Sequence, residues 1–192
     1  MSSIRAYYLP AESAIDTSHP FSVEQFNALG WKILSVGGGP NEIEQAGRKL
    51  AQELGFPITQ EGCSVPFHFE LEKNAATLAP EMADILRKVG EVKNSETCYA
   101  NRVVAAVTGG SLQIDVEDVP AAGWVRTHFD AGTLFCIPPG AKYRIPINEQ
   151  PEGTIGTAFF KETISNHGLL MEKDIDNHPA RQAYLKEVLG QT

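Results

Sequence analysis

The residues best able to do chemistry in this 192-residue chain are scattered. Its five histidines are His19, His68, His128, His167 and His178. A divalent ion needs several donors converging at about 2 Å, so a histidine site shows in sequence as close pairs such as HxH or HxxE. None of the five forms such a pair. His128 lies in the strand-like segment Trp124-Val-Arg-Thr-His-Phe129. Turned inward it would carry protons; turned outward it is an ordinary hydrogen-bonded side chain. Cys63, Cys98 and Cys136 are an odd number at wide spacing. They read as reduced thiols, not as a disulfide framework or a CxxC zinc site. Cys136 sits in an apolar run and reads as core. The run Gly37–Gly39 stands between a strand and a helix, where a phosphate cradle would be. Glu42 occupies the place of the third glycine of GxGxxG, and no GK[ST] follows, so the run reads as a turn.

The elements that must position these groups follow from hydrophobic patterning. The segment 4–9 is rich in β-formers and stops at Pro10. Ser22 to Gln25 has the spacing of a capping box and opens a short helix ending near Gly30. Trp31 to Val36 reads as a strand. Asn41, with Glu44 three residues on, is the expected cap of the next helix. There Ile43, Ala46, Leu50 and Leu54 recur at helical spacing, and Gly55 ends it. Residues 56–75 give no clear pattern, and a further helix is expected at about 79–89. From about 95 to 162 the pattern changes to six short strands, at 103–107, 111–116, 124–129, 133–137, 142–147 and 154–160. Close strands between Gly, Pro and acidic turns predict an antiparallel sandwich or small barrel. A last helix is expected at about 179–189, with Asn177 as cap, Pro179 in its first turn and Gly190 as stop.

Composition sets outer bounds. The chain is 42% apolar, with 16 Lys and Arg against 24 Asp and Glu, a net charge of −8. Its pI is near 5.1 and its mean hydropathy −0.19. That describes one domain able to bury a real core. The charge is wrong for a nucleic-acid partner. No apolar run approaches the roughly 20 residues of a membrane span. The N-terminal residues lack the apolar stretch of a secretory signal. The expected setting is therefore cytoplasmic, with no membrane partner. The charge is compatible with a homodimer and does not demand one.

The β-rich half resembles a cupin. The second cupin motif reads Gly, five residues, PxG, two residues, His. Here Gly132 is followed by TLFCI, Pro138-Pro139-Gly140, Ala141-Lys142 and then Tyr143. The first motif reads HxH, three or four residues, Glu, six residues, Gly. Counted back from Gly110, the glutamate position is Val103 and the HxH falls on Thr97-Cys98-Tyr99. Within the cupins the chain resembles the acireductone dioxygenases. His19 to Trp31 resembles their P-V-x-L-E-x-L-x-x-L-G-x-x-Y-W segment, and NEIEQAGRKLAQELGF (41–56) their acidic helix. Trp124-Val-Arg-Thr…Gly132…Pro-Pro-Gly-Ala-Lys-Tyr-Arg-Ile145 follows their W-I-R-I…G-D-x-x-x-x-P-A-G-x-Y-H-R-F, and ARQAYLKEVLGQT (180–192) their tail.

The resemblance implies a mainly β fold with α elements: a cupin-type double-stranded β-helix, or jelly-roll, barrel with an N-terminal α/β cap and a C-terminal helix. One domain over 1–192 is expected, with strands and helices in 1–90, the barrel in 91–162 and a closing extension in 163–192. The family holds iron or nickel with three histidines and a glutamate and cleaves an acireductone oxidatively. Thr97, Tyr99, Val103 and Tyr143 suit no such ion, so neither metal nor another cofactor is expected. These four should line the old site, joined by Asn101 if no turn intervenes, with Arg126 and Arg144 close by. Tyr99, Tyr143 and His128 are the candidate catalytic groups; Thr97, Asn101, Val103, Arg126 and Arg144 are the candidate substrate contacts. The expected function is metal-independent, non-redox chemistry on a small carbonyl-rich molecule: isomerisation, cyclisation or lyase cleavage. The alternatives are a non-catalytic binding or regulatory relative, and a dioxygenase with a relocated metal site.

Overall fold

The computed structural model describes residues 4–9, 20–69, 95–146, 149–151, 153–163 and 168–190. In chain order these form β1 (Arg5–Leu9), α1 (Val23–Ala28), β2 (Lys32–Ser35), α2 (Pro40–Glu53), β3 (Ser64–Phe69), β4 (Thr97–Tyr99) and β5 (Val103–Gly109). There follow β6 (Ser111–Asp118), β7 (Gly123–Asp130), β8 (Thr133–Ile137), β9 (Tyr143–Arg144), β10 (Thr154–Phe160), β11 (Leu169–Met171), a 3-10 turn (Glu172–Asp174) and α3 (Pro179–Val188). The strands make two antiparallel sheets, one ordered β1-β7-β6-β9-β4-β11 and the other β2-β8-β5-β10-β3. No helix among the described residues is long and apolar enough to cross a membrane. The expected mainly β architecture with a closing helix is therefore what forms. The helix expected at about 79–89 lies outside the described residues.

Alternation decides which side chains meet between the sheets. Val103, Ala105 and Val107 of β5 share a core with Phe135 and Ile137 of β8, Ala158 and Phe160 of β10, and Ile114, Val116, Val125, Phe129 and Tyr143 of the facing sheet. The other parity of the five-stranded sheet, Val104, Ala106, Leu134, Cys136 and Phe159, packs under Ile43 and Ala51 of α2. The two cores thus share one sheet. The face that α2 buries is centred on Ile43, Gly47 and Ala51, rotated from the expected Ile43, Ala46, Leu50 and Leu54 stripe. A Cβ at Gly47 would stand 2.9 Å from the Ala106 side chain, so a side chain there would push the helix off the sheet.

Two helix starts differ from expectation. The capping box at Ser22 and Gln25 forms in both directions. Helix α2, however, begins at Pro40 with Gly39 as cap, which puts Asn41 inside the first turn. Proline's fixed φ suits the first helical position and needs no partner for its missing N–H. Helix α3 is capped by His178, whose Nδ1 accepts from the Ala180 amide at 3.2 Å, and not by Asn177. β3, β4 and β11 were not expected as strands, and of the segment 142–147 only Tyr143–Arg144 pairs.

Helix α3 closes one end of the barrel. Its Tyr184 hydroxyl donates to the Leu29 carbonyl beyond α1 at 3.1 Å. Its Arg181, 4% exposed, pairs with Glu117 at 2.7 Å and donates to the Gly140 carbonyl at 3.3 Å. A linked ion cluster continues beside it. Lys142 meets Glu96 at 3.0 Å and Asp176 at 2.8 Å, and Arg144 meets Glu96 at 2.7 Å. Burial would raise the Glu96 carboxyl, but the hydrogen bonds from Arg144 and Lys142 outweigh it and hold it below its usual value. The hydrogen bond from Lys142 lowers Asp176.

Two outcomes follow from these contacts. At Gly140, φ is +78°, and a Cβ would stand 2.3 Å from the Ala180 carbonyl oxygen. Gly55 has the same φ of +78° and open space around it. Gly55→Ala should cost about 1–3 kcal/mol in urea unfolding, and Gly140→Ala more, because it also forces α3 away. Equal losses would show that α3 does not bear on this loop. Glu96 is lowered from 4.5, so its contribution is fully present above that pH and lost as pH falls through the folded value. Glu96→Gln should lower the melting temperature at neutral pH and approach wild type in acid. Parallel melting curves across pH would show that the cluster contributes nothing.

Candidate functional site

Strands β4 and β9 pair with Thr97 opposite Tyr143. Antiparallel partners share a face, so both side chains point between the sheets. Tyr99, two residues from Thr97, shares that parity. Its ring stacks on Tyr143 with centroids 5.7 Å apart and planes 24° from parallel. It also meets the Phe160 ring edge at 5.8 Å. Phe160 is in turn the register partner of Val103. The two β4–β9 and β5–β10 pairings therefore bring Thr97, Tyr99, Val103 and Tyr143 together, as the motif spacing requires. Thr97 is fully buried, and its hydroxyl donates to the Tyr143 carbonyl at 3.1 Å.

Both phenols are held in the protonated form. Burial raises Tyr143 well above its ordinary value, and its hydrogen bond with Tyr99 adds to this. Burial also raises Tyr99, with the same hydrogen bond acting in the lowering direction. At neutral pH the pair is two phenols joined by a hydrogen bond, not phenolates.

Four expected contacts are placed elsewhere. A bend at Ala100 and Asn101 follows β4, so Asn101 leaves the strand's alternation and lies half-buried between β4 and β5. His128, Arg126 and Arg144 stand on the outer face of the six-stranded sheet. On β7 the buried residues are Val125, Thr127 and Phe129, which fixes 126 and 128 on the opposite side. His128 Nε2 is hydrogen-bonded to the Tyr7 hydroxyl at 2.9 Å. Burial and then the nearby Arg5 lower its pKa. Arg126 donates twice to Asp115, at 2.7 and 2.9 Å. The Arg144 guanidinium lies 3.5 Å over the Trp124 ring. Of the candidate set, the interior keeps Thr97, Tyr99, Val103 and Tyr143.

Sequence reasoning passed over two inward groups. Trp31 and Thr127 are both fully buried, and Trp31 Nε1 and Thr127 Oγ1 have no hydrogen-bond partner among the described residues. The parity of β7 marks Thr127 as inward once Val125 and Phe129 are read as core; nothing in the sequence marks the indole nitrogen. A groove of about 420 Å³ opens at the end of the barrel near α3, lined in part by Gly30, Arg102, Pro138 and Tyr184. Among the described residues no three His, Cys, Asp or Glu side chains come together as a metal-holding group.

No family model matches the chain. A 107-residue stretch is 25% identical to an acireductone dioxygenase of Puccinia graminis f. sp. tritici. That stretch is 56% of this chain and spans 59% of the relative's length. Among solved structures, the acireductone dioxygenase from Bacillus anthracis, with a cadmium ion in its active centre, superposes with a TM-score of 0.50. The superposition covers 73% of this chain and 83% of that one at 9% identity, and so speaks for the fold. The chain thus has the cupin-type fold of the acireductone dioxygenases and resembles one of them in sequence over part of its length.

Proposed function

We propose that the chain is a metal-independent cupin that works in the cytosol on a small, carbonyl-rich molecule, by isomerisation, cyclisation or lyase chemistry. The observation that supports this is the Tyr99–Tyr143 pair, protonated and stacked, at positions where the cupin motif spacing would put ligands. Iron and nickel call for imidazole and carboxylate donors. Val103 has no donor atom, the Thr97 hydroxyl is committed to a carbonyl, and two protonated phenols are weak ligands. The donor set does not fit the family's metal.

The same pair suits a carbonyl oxygen. When a carbon next to a carbonyl loses its proton, the electron pair moves onto oxygen. A donor already placed there stabilises that charge in a buried, low-dielectric site. The phenols keep their protons, so they can donate to the oxygen or protonate it. No electron enters or leaves the substrate, and no oxidant is needed.

Acetylacetone, a small 1,3-dicarbonyl, is a direct probe. In D₂O its central C–H bond breaks, the proton passes to water and a deuteron returns. The protein should accelerate that exchange, followed by NMR, after chelator treatment. Tyr99→Phe and Tyr143→Phe should each lose roughly 10²-fold of the acceleration, the scale of one oxyanion donor. One equivalent of iron or nickel in the purified protein, with exchange lost to a chelator, would overturn the reading.

A second reading has its own support. The two phenols satisfy each other inside the protein, as in a relative that binds without catalysing. Acetylacetone bound, with exchange no faster than in buffer, would favour that reading.

A further inference from the structure

We propose that Trp31 is a ligand contact of the barrel interior, and that its indole N–H donates to an acceptor oxygen of an uncharged, aryl-bearing carbonyl compound. This rests on the reading of the interior as a ligand site and names the class of molecule it takes.

The first observation is the indole itself. Trp31 is fully buried, and its Nε1 has no hydrogen-bond partner among the described residues. Indole nitrogen only donates, so whatever completes it must be an acceptor. Buried donors are seldom left orphaned, because the group has given up water and gained nothing. Thr127 Oγ1, also fully buried and unpartnered, is a second polar atom on the inward face.

The second observation is position. Lys32 pairs with Cys136, and Cys136 with Val104. One residue back along the rung, Val103 pairs with Ile137 and with Phe160, and Phe160 touches Tyr99. Trp31 immediately precedes Lys32 and so stands at the end of the barrel where the tyrosine pair lies. Its core cluster is the one that holds Tyr99 and Tyr143.

The third observation is the character of the walls. The Trp31 ring stacks on Phe135 at 6.4 Å with planes 26° apart, and Phe135 on Phe129 at 4.4 Å with planes 13° apart. Stacked rings accept a flat conjugated partner more readily than a branched aliphatic one. The inward positions of β5, β7, β8 and β10 carry no Asp, Glu, Lys or Arg. A charged ligand would lose its hydration and meet no counter-charge, so the occupant is neutral.

Benzoylacetone, an aryl 1,3-dicarbonyl, is the probe, with acetylacetone as its non-aryl control. By calorimetry the protein should bind benzoylacetone more tightly. Trp31→Phe keeps a ring and removes the N–H. It should weaken benzoylacetone binding roughly tenfold, while the melting temperature of the ligand-free protein does not fall, since the donor has no partner to lose. Unchanged affinity, or a fall in melting temperature with no change in affinity, would overturn the proposal. If the variant does not fold, NMR of the wild type decides. The chain has two tryptophans, and Trp124→Phe assigns the indole N–H signals. The Trp31 signal should move downfield with benzoylacetone, and an unmoved signal overturns the assignment. Loss of affinity in Trp31→Phe with unaltered exchange in both tyrosine variants would sink the catalytic reading and leave this one standing. Loss of exchange in the tyrosine variants with unaltered Trp31→Phe binding would do the reverse.

Discussion

Strand β4 is three residues long and β9 two, yet between them they carry Thr97, Tyr99 and Tyr143. So short a ladder supplies few backbone hydrogen bonds, and a slip by one residue would turn every side chain to the wrong face. The contacts around it hold the register. Glu96, directly before β4, binds Lys142 and Arg144 on either side of Tyr143 in sequence. Lys142 reaches on to Asp176, and the Gly140 amide donates to the Tyr99 carbonyl at 2.8 Å. Charges on the outer face thus fix the phenols on the inner one. The interior needs no charge of its own to be ordered.

That division of labour orders the tyrosine pair without any charged group on the inner face of β4 or β9. The inward groups of Thr97, Val103, Tyr99 and Tyr143 are a hydroxyl, a hydrocarbon and two phenols, and the Tyr99 ring meets both Tyr143 and Phe160. The orientation of Tyr143 then depends on β9 being pinned from outside by the Lys142 and Arg144 ion pairs.

Much of this was legible in the sequence, and the failures have physical causes. The frame Gly132…Pro138-Pro139-Gly140 is readable because turn geometry dictates its residue types, and those types survive when ligands change. Strand parity is also readable, but only when the starting residue is right. His128 taken alone reads either inward or outward, and Val125, Thr127 and Phe129 on the alternate positions claim the core and turn it out. Asn101 failed because a bend at Ala100 breaks the alternation. Arg181 is buried against Glu117, an ion pair that spans the fold and leaves no local mark in the sequence. β11 has three residues, too few for a pattern. The unpartnered indole of Trp31 is a property of what does not surround it, which no string of residue types records.

The hydrogen bond from Tyr184 to Leu29 joins residues 155 positions apart. Between them lie nearly all the barrel strands. The end of the barrel beside the tyrosines therefore acquires its cover only after every strand has been made. A contact of such long range is also slow to form, because the intervening chain must be ordered first. The bond that covers this end of the barrel is thus the one that ties α3 back to the end of α1, and it holds two distant stretches of the chain in one place.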